Sequence, residues 1–484
     1  MTGTTFLAGE SSVWVQPYGP NTEPKYLGCH SVGDIPEPKG DSTQLWCPDP
    51  ARTGKFTSKR SFRGEPGIST TTITTDLRKT ADYLEDLSAN GCPFPFFIHK
   101  VSCGRRDVFT NFDRSFVLRG VEITTSTLTK LAAKDPADNG ESGQTFDISM
   151  QEVLRVFPME ISRVSVTETE DITGLTVAGE DRCEGSCGAA QKPEDDLFVS
   201  SKALVGSAAN TADVLRSLNG GAWTATVADP LGAGMDIMGL VSFSMGRGVT
   251  RVLVANGKTQ AAHPAEVSYT DDNGATWTTA HVGTTNAEYI TSIFAFDRYN
   301  VWVGTSGGRI YFSSDAGVTW TVQENAVISA TAVVGISGYD DDNLMAIYTG
   351  GEIAVTSDGS TWASTTSSGL TTATGVKMIS TYSAWAVGAQ GMYYTTDGGV
   401  TWTKRNSYAI GAIDFLNEMF GLAAGSAANA NVYMTIDGGF DWQVLPAVTN
   451  GGFTFLKILT TKLAYVCGKI SGGTGFLGKI LPAT

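Results

Sequence analysis

The chain has 484 residues, of which 41% are apolar and 17% charged, and its formal net charge is −15. That length is too great for one ordinary domain and fits two or three with large cores. The acidic balance excludes a surface built to clamp nucleic-acid phosphates, which needs clustered Lys and Arg, although an acidic wall would let DNA slide past. The 56 glycines, with plentiful Ser and Thr, predict many short strands joined by tight turns. Residues Met1 to Glu10 lack a basic segment followed by an apolar one, so no secretory signal is expected. No apolar run approaches the roughly 18 residues that span a bilayer, so no membrane insertion is expected and synthesis is assigned to a cytoplasm.

In chain order, Val13-Trp14-Val15 and Tyr26-Leu27 read as short strands. From Ser31 to Gly67, Pro, Gly and charged residues dominate, which predicts a long loop or extended arm. The β-branched run Ser69–Thr75 reads as a strand. Asp76–Leu87 is the one convincing helix: Asp76 is placed to cap it, and Leu77, Tyr83, Leu84 and Leu87 share a face. It ends near Asn90-Gly91. Strands follow at Phe94–Val101, Phe116–Ser126 and Val153–Val166. Residues 1–190 are therefore expected to form a β-sandwich or barrel with one packed helix, and the polar stretch Asp181–Asp196 the inter-domain linker.

This order of elements resembles the tail tube protein of long-tailed bacteriophages. The points of likeness are the opening strand pair, the arm before the second sheet, the mid-domain helix and the late strand Val117–Thr125. The resemblance implies a virion protein that self-assembles as stacked homo-oligomeric rings through the arm at 31–67, meets other virion proteins, and carries its C-terminal domain outward. The alternative is a β-domain that merely orients the rest of the chain.

Six of the seven cysteines, Cys29, Cys47, Cys92, Cys103, Cys183 and Cys187, precede the last, Cys467. In a cytosolic product the default is free thiols, while Cys183 and Cys187 are equally able to close a small loop. His30 beside Cys29, and His99 between Cys92 and Cys103, match no standard zinc spacing, so no metal is assigned.

Beyond residue 191 the chain repeats. Thr270-Asp-Asp-Asn-Gly-Ala-Thr-Trp277 aligns with Ser313–Trp320, Thr356–Trp362, Thr395–Trp402 and Thr435–Trp442, and Ser217–Trp223 is a degenerate copy. The tryptophans step by 54, 43, 42, 40 and 40 residues, the length of a four-stranded propeller blade. A last unit, Phe453 to Ile480, has no such motif and lacks an outer strand. A strand from upstream of the first repeat would complete it and close the ring without an open edge. The fold class is therefore all-β with one N-terminal helix, residues 191–484 forming a propeller of seven blades, or alternatively six.

These motifs resemble the Asp-box, or bacterial neuraminidase repeat, of sialidases, sortilin-type receptors and photosystem II assembly-factor propellers. The assembly-factor propellers match best, above all over Trp385–Trp402. They carry a targeting leader and a basic patch, neither of which this sequence shows. The carboxylates of Asp272, Asp315, Asp358, Asp397 and Asp437 are read as acceptors for backbone N–H groups of their own hairpins, not as catalytic or metal-binding groups. Gly274, Gly317, Gly399 and Gly439 supply positive φ, and Trp277, Trp320, Trp362, Trp402 and Trp442 pack their rings on a neighbouring strand or blade. A sialidase needs an arginine cluster for its substrate carboxylate. Here Arg216, Arg247, Arg251, Arg298, Arg309 and Arg405 occupy no repeated position.

No residue supports a catalytic or cofactor-binding assignment, so the protein is read as not an enzyme. The first expectation is a virion structural protein whose propeller decorates a tube and contacts a host-surface glycan or protein. The alternative is a soluble protein-binding or assembly-factor propeller, and a third reading is a glycan-binding or glycan-hydrolysing one.

Overall fold

The computed structural model describes residues 11–15, 25–32, 42–48, 56–63, 69–75, 81–85, 94–99, 115–130, 142–150, 152–156, 159–164, 172–178, 196–201, 214–218, 222–226, 236–246, 249–257, 265–283, 288–323, 331–426, 431–445, 451–460, 462–470 and 475–482. Strands dominate, and the described helix is confined to residues 81–85.

The N-terminal strands are β1 (Ser11–Val15), β2 (Lys25–Val32), β3 (Ser42–Pro48), β4 (Phe56–Arg63), β5 (Ser69–Thr75), β6 (Phe94–His99), β7 (Ser115–Lys130), β8 (Ser142–Met150) and β9 (Glu152–Val156). Seven of them form one sheet in the order β6-β1-β2-β5-β8-β7-β9, and β6 also pairs with β7. The 16-residue β7 makes this closure possible. Its first half pairs with β6 and its second half with β8. The core holds Val13, Val15, Leu27, Ile73, Val121, Phe146 and Ile148, with Ala81 and Leu84 of the helix packed on it. Tyr83 lies partly buried against the same cluster, as the helical pattern predicts. Asp76, Leu77 and Leu87 lie outside the described residues.

Two expectations change. The arm at 31–67 contains a hairpin, β3 with β4, that forms its own two-stranded sheet. Aromatic and β-branched residues Thr43, Trp46, Phe56, Thr57 and Phe62 favour strands there despite the flanking Pro and Gly. The strand expected over 153–166 is two strands. Pro158, with no N–H to donate, stands between β9 and β10 (Met159–Val164). β9 extends the barrel-like sheet, whereas β10 joins the last strands of the chain.

The rest is a β-propeller. Six four-stranded antiparallel sheets of consecutive strands occupy residues 172–225, 237–281, 290–322, 333–364, 373–406 and 410–445, here blades 1 to 6. A seventh sheet combines the last three strands, residues 451–482, with β10 as its outer strand. Each inner strand packs beside the next, and the inner strand of the seventh sheet packs beside that of blade 1, closing the ring. The upstream strand expected to complete the last unit is thus β10, paired from Met159↔Pro482 to Val164↔Leu477. Blade 1 begins at Ile172, so two strands before residue 190 belong to the propeller. The stretch 181–196, expected as a linker, instead joins two hydrogen-bonded strands of blade 1; residues 181–195 lie outside those described.

The apolar core is layered between blades. Leu253, Val267, Ile290 and Val303 fill blades 2/3; Trp302, Ile336 and Ala346 fill blades 3/4; Phe420, Val432, Leu456 and Met159 fill blade 6 against the composite sheet. Because each layer needs both partners, no blade buries its apolar face alone.

Candidate functional site

The repeat motif forms the turn between the third and fourth strands of a blade, and its hydroxyl residue anchors it. Thr270 donates to Asp272 Oδ1 at 2.8 Å and accepts the Gly274 N–H at 2.9 Å. Asp272 then accepts the Thr276 N–H at 2.9 Å and the Thr276 hydroxyl at 2.6 Å. The same set recurs from Ser313 through Asp315, Gly317 and Thr319, and from Thr395 through Asp397, Gly399 and Thr401. In the turn of blade 4, one residue shorter, Asp358 accepts from Thr356 at 2.9 Å and from the Thr361 N–H at 2.6 Å. These aspartates therefore act as turn clamps.

Electrostatics follow the bonds. The Thr276 hydroxyl and amide draw Asp272 down to about 2. Backbone N–H groups of Thr361 and Ser360 hold Asp358 far below the carboxylate range. For Asp315 and Asp397 partial burial works upward, but the bonds from Thr319 and Thr401 win and both are lowered. Asp437 is the exception. Burial pushes it up to about 7, and Asp441, standing where the other turns have Thr, adds repulsion.

Two successive residues take positive φ: Asn273-Gly274, Ala316-Gly317, Gly398-Gly399 and Gly438-Gly439. Each second glycine also abuts the preceding blade. A Cβ on Gly317 would lie 2.4 Å from Leu253 Cδ2, and one on Gly439 2.1 Å from Trp385 Cζ2. The tryptophans complete these junctions. Trp320, Trp362, Trp402 and Trp442 pack into the core between their own blade and the one before it, as Trp277 does beside Val214 and Leu240. The structure therefore spreads the fourteen expected residues around one end of the ring and does not gather them into a pocket.

A second repeated turn, between the first and second strands, shares that end, and sequence reasoning missed it. Asp297 accepts the Tyr299 N–H at 2.7 Å, and Asp340 accepts the Asn343 N–H at 2.7 Å. Ser380 accepts the Ser383 N–H at 2.9 Å, and Asn417 the Phe420 N–H at 2.8 Å. The two kinds of turn are joined directly: Gly359 N–H donates to Asp342 O, Gly398 N–H to Tyr382 O and Gly438 N–H to Met419 O. The signal was a short polar residue at the end of each inner strand, but Asp, Ser and Asn do not align as one letter. On these turns Phe296, Tyr299, Tyr339 and Tyr382 are exposed, across three consecutive blades.

The channel wall carries stitches between blades. Thr173, Thr291, Thr374 and Thr454 each donate to a carbonyl of the next inner strand, the last to Ile172 across the ring closure. Asp414 holds Lys377 at 2.7 Å and accepts the Ile458 N–H at 2.8 Å. Burial works against its charge, but Lys377, Lys457 and that amide keep it lowered. Asp414 thus ties blades 5 and 6 to the composite sheet. Among the described residues no three His, Cys, Asp or Glu side chains converge as metal ligands. Cys467 is free and buried, which pushes its thiol up; the side chains of the other six cysteines lie outside those described. No described helix is long and apolar enough to cross a membrane.

A scan of protein-family models finds no match to the chain. Nor does a search of curated proteins find one. Among solved structures, YCF48 from Cyanidioschyzon merolae is similar at 17% identity and a TM-score of 0.51, covering 67% of this chain and 99% of that one. A structure of YCF48 bound to D1 peptide is similar at 14% identity and a TM-score of 0.50, covering 67% and 96%. At these identities the likeness establishes the propeller fold.

Proposed function

We propose that this chain is a non-catalytic, protein-binding propeller that holds a partner at the end of the ring formed by the two sets of turns. The observation that carries the reading is the row of exposed aromatics, Phe296, Tyr299, Tyr339 and Tyr382, on turns already fixed by their own hydrogen bonds. Turns already held by their own hydrogen bonds lose little backbone freedom on binding, so more of the contact energy remains as affinity. The repeat text, which resembles Asp-box assembly-factor propellers, supports the same reading, as does a similar propeller described as bound to a peptide. The test is selection of short random peptides on the full chain, followed by amide hydrogen exchange with the strongest binder. Protection at residues 297–300, 339–343 and 379–383 is expected. Protection at the opposite end of the ring, or no retained peptide, overturns the proposal.

A second reading, the self-assembling virion subunit, is favoured by one observation. The hairpin β3–β4 pairs with no other described strand, which leaves two edges able to accept a strand from another copy. Rings or tubes of the full chain in electron micrographs support it, and discrete monomers at high concentration overturn it.

A further inference from the structure

We infer that the partner segment is a basic peptide, read by the aromatic turns of blades 3 to 5 through combined cation–π and carboxylate contacts. This rests on the protein-binding proposal and names the chemistry of the partner. The turn geometry does not by itself force the rings outward. Met419, at the corresponding place in blade 6, is fully buried, whereas Tyr299 and Tyr382 are 53% and 42% exposed. Among the described residues Phe296, Tyr299, Tyr339 and Tyr382 are exposed on the first-to-second-strand turns of blades 3 to 5, while in blade 6 the exposed ring at this end is Phe440 of the repeat turn.

Charge decides the occupant. The turn of blade 4 beside Tyr339 reads Asp340-Asp341-Asp342, and Asp297 precedes Tyr299. Asp315 and Asp358 lie on the repeat turns of blades 3 and 4, the latter joined to the Asp340–Asp342 turn through Gly359 N–H and Asp342 O. Two cations already at this sector are engaged: Arg298 donates to Met245 O at 2.9 Å and lies 4.6 Å from the Tyr299 ring centroid, and Arg251 pairs with Asp271 at 2.6 Å and donates to Ala316 O beside Asp315. Arg251 over Tyr269 at 4.1 Å repeats that pairing within the chain. A segment with Arg or Lys gains from both the ring faces and the carboxylates. The formal charge of −15 steers it inward. An acidic segment is repelled, and a neutral glycan gains from the rings alone.

The test uses the full chain against random peptides and, in parallel, a panel of neutral glycans. Net-positive peptides should be retained, with affinity falling as salt is raised. Asp341→Lys and Tyr382→Ala, both at exposed side chains, should each weaken the best peptide about tenfold while leaving the parent's thermal midpoint unchanged. Retention of neutral or acidic peptides, salt-insensitive binding, or variants that bind like the parent overturns the basic-peptide inference and leaves the protein-binding reading standing. Retention of glycans with no peptide retained overturns both.

Discussion

The turns Thr395–Trp402 and Thr435–Trp442 share one skeleton and behave in opposite ways. In each, the first threonine donates to the aspartate at 2.8 Å and the second of two left-handed glycines abuts the preceding blade. In the first, Thr401 adds a hydroxyl bond to a half-exposed carboxylate, and Asp397 is lowered. In the second, Asp441 replaces that donor and Asp437 is buried, so it is raised to about 7. The motif thus fixes backbone shape, while the charge of its aspartate is set by what the neighbouring blade covers.

The largest expected effect separates the two glycines. Gly439→Ala adds strain at φ 89° and drives a Cβ to 2.1 Å from the buried Trp385 ring, so a loss of about 3 kcal/mol or more is expected. Gly399→Ala meets nothing nearer than the flexible end of Met345 at 3.2 Å and Thr365 Oγ1 at 3.4 Å, and about 1–2 kcal/mol is expected, mostly from strain. Denaturant midpoints measure both, and equal losses would break the comparison.

Next comes pH. Because Asp437 is raised, its neutral form is favoured in the folded state. Its contribution is full below the unfolded value and is lost as pH rises through about 7. Asp437→Asn should flatten the decline in stability across that window, by roughly 1.4 kcal/mol for each pKa unit removed. Asp397 runs the other way: its contribution is full above about pH 4 and is lost as pH falls. An unchanged slope in the Asp437 variant would show that the carboxylate is charged at neutral pH after all. The smallest effect is Asp441→Thr, which restores the missing hydroxyl donor and should add about 1 kcal/mol at neutral pH. No gain in melting temperature would mean that the hydroxyl does not reach Asp437.

Spacing in the sequence was enough to find the blades, because a repeated Asp, Gly and Trp mark one turn each and the turn's needs are local: an acceptor, a left-handed residue and a ring. It also revealed that the last unit lacked an outer strand, since an open edge would be left unpaired. Three things became visible only in the folded ring. β10 and the first strand of blade 1 carry no motif, so their membership of the propeller sheets could not be read from the sequence. The first-to-second-strand turns use Asp297, Ser380 and Asn417 interchangeably, because any short acceptor side chain satisfies the same amides. The state of Asp437 was also out of reach, because desolvation comes from packing that residue order does not specify.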